Sequence, residues 1–228
     1  MTTFRLLSYP LSPSAPVWPG NPPAARTHAF SAIADGDVAN TTVLTLFSHS
    51  GTHLDAPKHF NDRGPTAAEL PVEAFIFFRP LVIELPKGPG ESVELADLQS
   101  HAAALAETDL LFMRTGWSAQ RTADPTLYVE RNPMLHPAAA RYLLEQFPDL
   151  RGIAIDAPSV GAPDKFDETV ETHRLLTGAE KDDGRFIIIL EDLRIDSDLG
   201  SARRIYAWPL FIEGSDGSPC TIVAEFES

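Results

Sequence analysis

Residues 49–60 read His-Ser-Gly-Thr-His-Leu-Asp-Ala-Pro-Lys-His-Phe. Three of the seven histidines in this 228-residue chain (His49, His53, His59) fall in that window, with Asp55 between them. Imidazole nitrogen and carboxylate oxygen are the usual ligands of divalent transition metals, so the chain must fold in a way that brings these side chains together. In a straight strand, at about 3.3 Å per residue, His49 and His53 would lie about 13 Å apart. Two imidazoles that each reach one ion at about 2.1 Å cannot start from there. The chain therefore has to reverse between them, and Gly51 is the natural pivot because it tolerates backbone angles that other residues avoid. One helical turn would also place positions 49 and 53 on one face, but Gly51 and Pro57 oppose a long helix. The expectation is a strand over 41–48 ending in a tight turn that gathers His49, His53 and Asp55, with Pro57 stiffening the exit and aiming His59 back at the same pocket.

Around this window the pattern is that of an α/β domain. Proline at 10, 13, 16, 19, 22 and 23 keeps the first 25 residues from forming a regular helix, and this segment is expected to wrap an edge of the fold. Apolar runs at Leu81 to Leu85, Leu110 to Arg114, Gly152 to Ile155 and Phe186 to Leu190 read as buried strands. Thr41 to Phe47, Arg204 to Ile212 and Thr221 to Phe226 read as further strands. Helices are expected over Leu95 to Ala106, over Pro137 to Phe147 with proline at its first position, and over Glu168 to Leu176, ending near Gly178. Residues 178–184 form a polar, charged loop. No glycine- or charge-rich linker divides the chain, so residues 1–228 are expected to be one domain.

The formal net charge is −14, with acidic residues spread along the chain and no lysine or arginine run. This disfavours nucleic acid and anionic membrane as partners, since both require a basic face. One cysteine, Cys220, rules out an intramolecular disulfide and fits a reducing cytoplasm. The N-terminal apolar run is too short for a signal peptide, and no stretch approaches the length of a membrane span. There is no Gly-x-Ser-x-Gly elbow, Walker loop or full Gly-x-Gly-x-x-Gly string, so serine-hydrolase and nucleotide-binding readings have no support.

The string His49-x-Gly51-Thr52-His53-x-Asp55-x-Pro57-x-His59-Phe60 resembles the signature of the cyclase-like metal-dependent hydrolases, which include bacterial kynurenine formamidases and isatin hydrolases. Further islands of resemblance span nearly the whole chain. They are Pro16-Val17-Trp18-Pro19-Gly20, Arg114-Thr115-Gly116-Trp117, Gly152 to Ser159, His173, and Ile188 to Leu193. The resemblance implies a swivelling β/β/α domain, usually a homodimer or homotetramer. It also implies one or two zinc or manganese ions per chain, with His49, His53 and Asp55 on the first metal and Asp55 bridging to a second held by His173 and Glu191. His59 would be the general acid/base. One departure stands out: His173 and Glu191 are 18 positions apart (191 − 173), longer than in comparable formamidases. The loop 178–184 accommodates the excess, and Glu168, Glu171 and Asp192 are rival carboxylates.

A divalent ion would activate water near neutral pH and stabilise an oxyanion, and His59 would protonate the departing amine. Trp18 and Phe60 are expected to wall a pocket for a flat, small-molecule aromatic amide. Trp117 reads as structural, while Asp156 and Ser159 either hold the ligands from behind or cap a strand end. His28, His101 and His136 carry no motif. The expected activity is hydrolysis of an amide C–N bond, with N-formylkynurenine as first substrate and isatin, another cyclic amide or a lactone as alternative. A reading of another class is a non-catalytic metal- or ligand-binding protein on the same fold.

Overall fold

The computed structural model describes residues 1–180, 184–195 and 199–227, so residues 181–183 of the expected polar loop lie outside the described residues. The strands are β1 (Thr2–Leu6), β2 (Ala25–Ser31), β3 (Thr41–Leu46), β4 (His53–Asp55), β5 (Ile76–Phe77), β6 (Pro80–Glu84), β7 (Ser92–Val93), β8 (Leu110–Arg114), β9 (Met134–Leu135), β10 (Gly152–Ile155), β11 (Ile188–Glu191), β12 (Arg204–Pro209) and β13 (Gly217–Glu227). The helices are α1 (Leu95–Gln99), α2 (Ala102–Leu105), α3 (Gln120–Ala123), α4 (Pro125–Glu130), α5 (Pro137–Gln146) and α6 (Phe166–Leu176). The α/β class read from the sequence is therefore the class of the structure.

Nine strands form one mixed sheet in the order β5-β12-β13-β4-β11-β10-β8-β6, with β1 added along β13. β6, β8, β10 and β11 run parallel, while β4 lies antiparallel between β11 and β13. Side chains alternate along each central strand and so feed two cores. Leu111, Met113, Ile153, Ile155 and Ile189 face a layer that contains Leu143, Leu144, Leu175 and Leu176 of α5 and α6. Leu110, Phe112, Ala154, Ile188 and Leu190 face the other side, against Phe77, Ile205, Ile222 and Ala224. Burial on both faces explains why these strands read as unbroken apolar runs.

The edges of this sheet, β5 and β6, are separated in the chain by only Phe78 and Arg79, so the sheet curls into a nearly closed barrel. A buried carboxylate holds the seam. Asp109 accepts from the backbone N–H groups of Phe78 and Arg79 (both 2.9 Å) and from Arg151 (3.1 Å), whose guanidinium also reaches the Ile76 carbonyl at 2.6 Å.

Some boundaries differ from expectation. The helix expected over Leu95 to Ala106 is two short helices, because at the junction His101 N–H bonds back only three residues, to Leu98 O (2.9 Å). The strand from Arg204 stops at Pro209, whose ring cannot donate to a ladder, and the last strand starts earlier, at Gly217. β3 pairs only with β2, as an exposed ribbon outside the main sheet. The N-terminal segment supplies an edge strand, β1, paired to β13 from Thr2↔Glu227 to Leu6↔Val223.

Replacing Asp109 with Ala strips two backbone donors and a guanidinium of their acceptor. The expected cost is about 2–3 kcal/mol, read as a lower urea midpoint at unchanged slope. A loss below about 0.5 kcal/mol would show that the seam does not rest on this carboxylate.

Candidate metal centre

The turn after β3 brings the window together. Gly51 sits at φ 62°, the left-handed region, and a β-carbon there would lie 2.8 Å from Leu11 Cδ1. Ser50 Oγ closes the turn by donating to Phe47 O at 2.8 Å and Ala24 O at 3.1 Å. The imidazole centroids of His49 and His53 end 5.4 Å apart. The reversal is tighter than expected, since His53–Asp55 is itself strand β4 rather than part of the turn. In a strand, positions 53 and 55 share one face, while Leu54 points to the core.

The neighbours of β4 complete the site. On one side His53 is in register with Glu191, the last residue of β11. On the other, Asp55 is in register with Gly217, where a β-carbon would lie 2.6 Å from both His49 Cε1 and Leu54 O. Gly217 therefore makes the space that His49 fills. Pro57 opens the single turn Pro57–His59, which returns the His59 ring to stack on His49 at 3.7 Å. Helix α6 contributes His173 from its buried face.

Asp55 lies at the centre. Its Oδ1 is 2.7 Å from His49 Nδ1 and 3.5 Å from His53 Nε2. Its Oδ2 is 3.9 Å from His173 Nε2 and 4.0 Å from His59 Nε2, and this oxygen is buried without a hydrogen-bond partner. Glu191 Oε2 is 3.1 Å from His53 Nε2, and Glu191 Oε1 is 3.7 Å from His173 Nε2. The closest donor triplets are His49, Asp55, His59 and His53, Asp55, Glu191. Asp55 is common to both, whereas the resemblance pairs His49 with His53 and His173 with Glu191.

The ring orientations define what this set can hold. His53 Nδ1 lies 2.8 Å from Gly51 O, and His173 Nδ1 lies 2.7 Å from Thr169 O. A carbonyl only accepts, so each Nδ1 carries a proton and each neutral ring turns an Nε2 lone pair toward the carboxylates. Lone pairs facing carboxylates need positive charge between them. Burial acts to lower the pKa of His53 and of His173, yet hydrogen bonding to Glu191 and the Asp55 and Glu191 charges raise both. Burial likewise opposes the shift of His49, which the Asp55 and Asp216 carboxylates push up to about 10. Against burial and the Asp55 charge, His173 and His53 hold Glu191 down at about 2. Against burial, the imidazoles also hold Asp55 below the usual carboxylate range. The orphaned Asp55 oxygen and the inward-facing Nε2 atoms fit a divalent ion, which meets the same electrostatic demand without protons.

The rival carboxylates are directed elsewhere. Asp192 sits at φ 56° and turns its carboxylate away, onto Arg121 (2.7 and 2.9 Å) and Tyr128 Oη (2.7 Å). Glu171 pairs with Arg141 at 3.6 Å, and Glu168 lines a separate surface groove beside Arg141. Ser159 Oγ (3.0 Å) and Val160 N–H (2.7 Å) donate to Glu191 Oε1, so Ser159 braces that residue. Asp156 instead caps the turn after β8 by accepting from Thr115 N, Thr115 Oγ1 and Gly116 N. Trp117 is buried, with its indole N–H on Tyr128 O at 3.0 Å.

The site opens into a cleft of about 200 Å³ walled by Val17, Trp18, Phe47, Phe60 and Phe166. Phe60 stacks on His173 at 4.6 Å. In the sequence no motif marks Phe47, Phe166 or Asp216 as part of a site. That carboxylate lies 2.8 Å from His49 Nε2 and 3.0 Å from His59 Nδ1. The only local signal was the dipeptide Asp216-Gly217, which marks a turn and says nothing of a site.

The family described as "Putative cyclase" matches residues 6–162, more than half of the chain. An uncharacterized protein of Haemophilus influenzae is 36% identical over 111 residues, covering 49% of this chain and 78% of its own length. A kynurenine formamidase of Bacillus cereus is 28% identical over 223 residues, covering 95% of this chain and 94% of its own. Among solved structures, isatin hydrolase A from Labrenzia aggregata, bound to benzyl benzoate, superposes with a TM-score of 0.82 at 24% identity, over 100% of this chain and 94% of its own. This likeness shows the fold.

Gly217→Ala should push the His49 ring out of place and also strain the β4–β13 pairing at Leu54 O, so the variant is compared with the parent at equal folded fraction. Zinc affinity is expected to fall at least about tenfold, measured by competition with a chromogenic chelator. An affinity equal to that of the parent protein would mean that His49 does not hold the ion.

Proposed function

The chain belongs to the cyclase family whose model it matches, and we propose that it is a metal-dependent hydrolase of an amide C–N bond whose first substrate is an aryl formamide, N-formylkynurenine. The observation that carries this reading is the buried, unpartnered Asp55 oxygen behind four imidazoles, His49, His53, His59 and His173, that line an aromatic cleft. His49, His53, Asp55, His173 and Glu191 would hold one or two zinc or manganese ions. When bound, such an ion supplies Lewis acidity and activates water near neutral pH.

The rest of the chemistry falls to the chain. Trp18 and Phe60 flank the cleft and bind the flat aryl group against its largely apolar walls. His59 lines the same cleft and is the general acid/base, delivering a proton to the nitrogen that leaves. An aniline is a weak base and a good leaving group, so an aryl formamide asks less of this proton transfer than an alkyl amide does. The Bacillus cereus relative, a kynurenine formamidase matched along nearly its whole length, supports this substrate class. The second reading is a lactam such as isatin, whose carbonyl would present the same chemistry to the same floor. The isatin hydrolase fold keeps it in view. As the family resemblance implies, the working protein would be a homodimer or homotetramer, and with a single cysteine it would suit a reducing cytoplasm. Among the described residues no helix is long and apolar enough to cross a membrane, and the single cysteine is buried.

Hydrolysis of N-formylkynurenine and isatin, compared side by side, tests the substrate. Turnover of the formamide should be lost with a chelator and restored by zinc or manganese. Turnover of isatin alone would move the assignment to lactams, and chelator-resistant turnover would remove the metal from the reaction. His59→Ala should lower kcat by about 10²–10⁴-fold with bound metal unchanged by elemental analysis; full activity in that variant would strip His59 of its role.

A further inference from the structure

Asp216 stands in the turn between β12 and β13, outside every motif of the window. Its backbone is fixed, because Ala56 N–H donates to Asp216 O at 3.0 Å where β4 ends, and Gly217 is in register with Asp55. A single oxygen, Oδ2, meets two imidazoles: His49 Nε2 at 2.8 Å and His59 Nδ1 at 3.0 Å. The two rings stack at 3.7 Å with 24° between their planes, as two groups sharing one anchor would.

An ionised carboxylate only accepts hydrogen bonds, so both of these nitrogens carry protons. Each neutral ring then has its lone pair on the other nitrogen. For His49 that is Nδ1, 2.7 Å from Asp55 Oδ1, a contact that a second proton makes without an ion and that an ion held by both atoms would replace. For His59 it is Nε2, on the side of Asp55 Oδ2 at 4.0 Å and at the lining of the cleft. His53 and His173 need no such help, since backbone carbonyls already set their tautomers. Beyond Asp55 and Asp216, no hydrogen bond to another group orients His49 or His59 among the described residues. Asp216 contacts His49 from the nitrogen opposite to the one facing Asp55, so it lies behind the ring rather than beside it as a further ligand.

We propose that Asp216 is a positioning residue that sets two tautomers at once, turning His49 Nδ1 toward the ion and His59 Nε2 toward the substrate. The His59 half of this role rests on the hydrolase reading above; the His49 half does not.

The experiment uses zinc-loaded, full-length protein with ¹⁵N-labelled histidine. Two-bond ¹H–¹⁵N correlations should show His49 protonated at Nε2 and His59 at Nδ1. Asp216→Ala should abolish the Nδ1–H preference of His59, weaken zinc binding about 10–100-fold, and, at saturating zinc, lower kcat at least about 10²-fold with KM within about threefold. Asp216→Asn keeps an acceptor oxygen at the same place and should recover both affinity and kcat to within about fivefold of the parent. In a His59→Ala background, Asp216→Ala should cost little further kcat at saturating zinc, because both changes then act through one group. Unchanged tautomers in Asp216→Ala, or an Asn variant no better than Ala, would overturn the proposal. If the parent protein hydrolyses neither test substrate, the hydrolase reading fails, while the tautomer and zinc measurements still decide the role of Asp216.

Discussion

A carboxylate stays ionised inside a protein only where positive charge or donated hydrogens meet its oxygens. Asp55 is 1% exposed and is approached by four imidazoles, yet one of its oxygens accepts no hydrogen bond. Much of the surrounding architecture serves to supply that carboxylate with neighbours. The left-handed turn at Gly51 returns His49, the cross-strand register brings Glu191 beside His53, the missing side chain at Gly217 makes room for the His49 ring, and α6 delivers His173 from the opposite layer. Each of these features has a backbone cause, and together they gather four imidazoles around two buried carboxylates.

The parts of this arrangement that could be read in the sequence are those whose physics is local. Continuous apolar runs announced β8, β10 and β11, because strands covered on both faces cannot alternate. Proline at 137 announced the first position of a helix, and Pro57 the stiffened exit that returns His59. The need to bring His49 and His53 within reach of one ion pointed to Gly51 as the pivot. The illegible parts depend on pairing between distant segments. That residues 53–55 form a strand follows from their position between β11 and β13, and three residues carry no period of their own. Asp216 and Gly217 could not be found for the same reason, since their meaning comes from lying opposite Asp55 and Ala56, about 160 positions earlier in the chain.

The choice between Glu191 and Asp192 shows how finely such a site is specified. These are adjacent acids at a strand end, and composition does not separate them. The ladder places Glu191 opposite His53, and the left-handed conformation of Asp192 sends its side chain to a different partner, the Arg121 guanidinium and the Tyr128 hydroxyl. The backbone carbonyl of Asp192 also receives Thr52 Oγ1 at 2.6 Å, and Thr52 in turn accepts from Tyr9 N–H at 2.9 Å. The strained residue is thus tied to the segment just before His53 and to the N-terminal edge, which is how a costly backbone angle is kept in place.

The position of β4, clasped between β11 and the last strand, has a consequence for the order in which the protein matures. The histidines at 49, 53 and 59 precede their companions at 173, 191 and 216–217 in the chain by more than a hundred residues, so they leave the ribosome well before them. A nascent chain therefore carries exposed imidazoles with no cage around them, and the cage closes only when β13 docks against β4 and β1 docks against β13. An ion held at this site would be enclosed fully only once these strands are in place. Free energy gained there is shared by the whole barrel, whose first and last strands are hydrogen-bonded to each other.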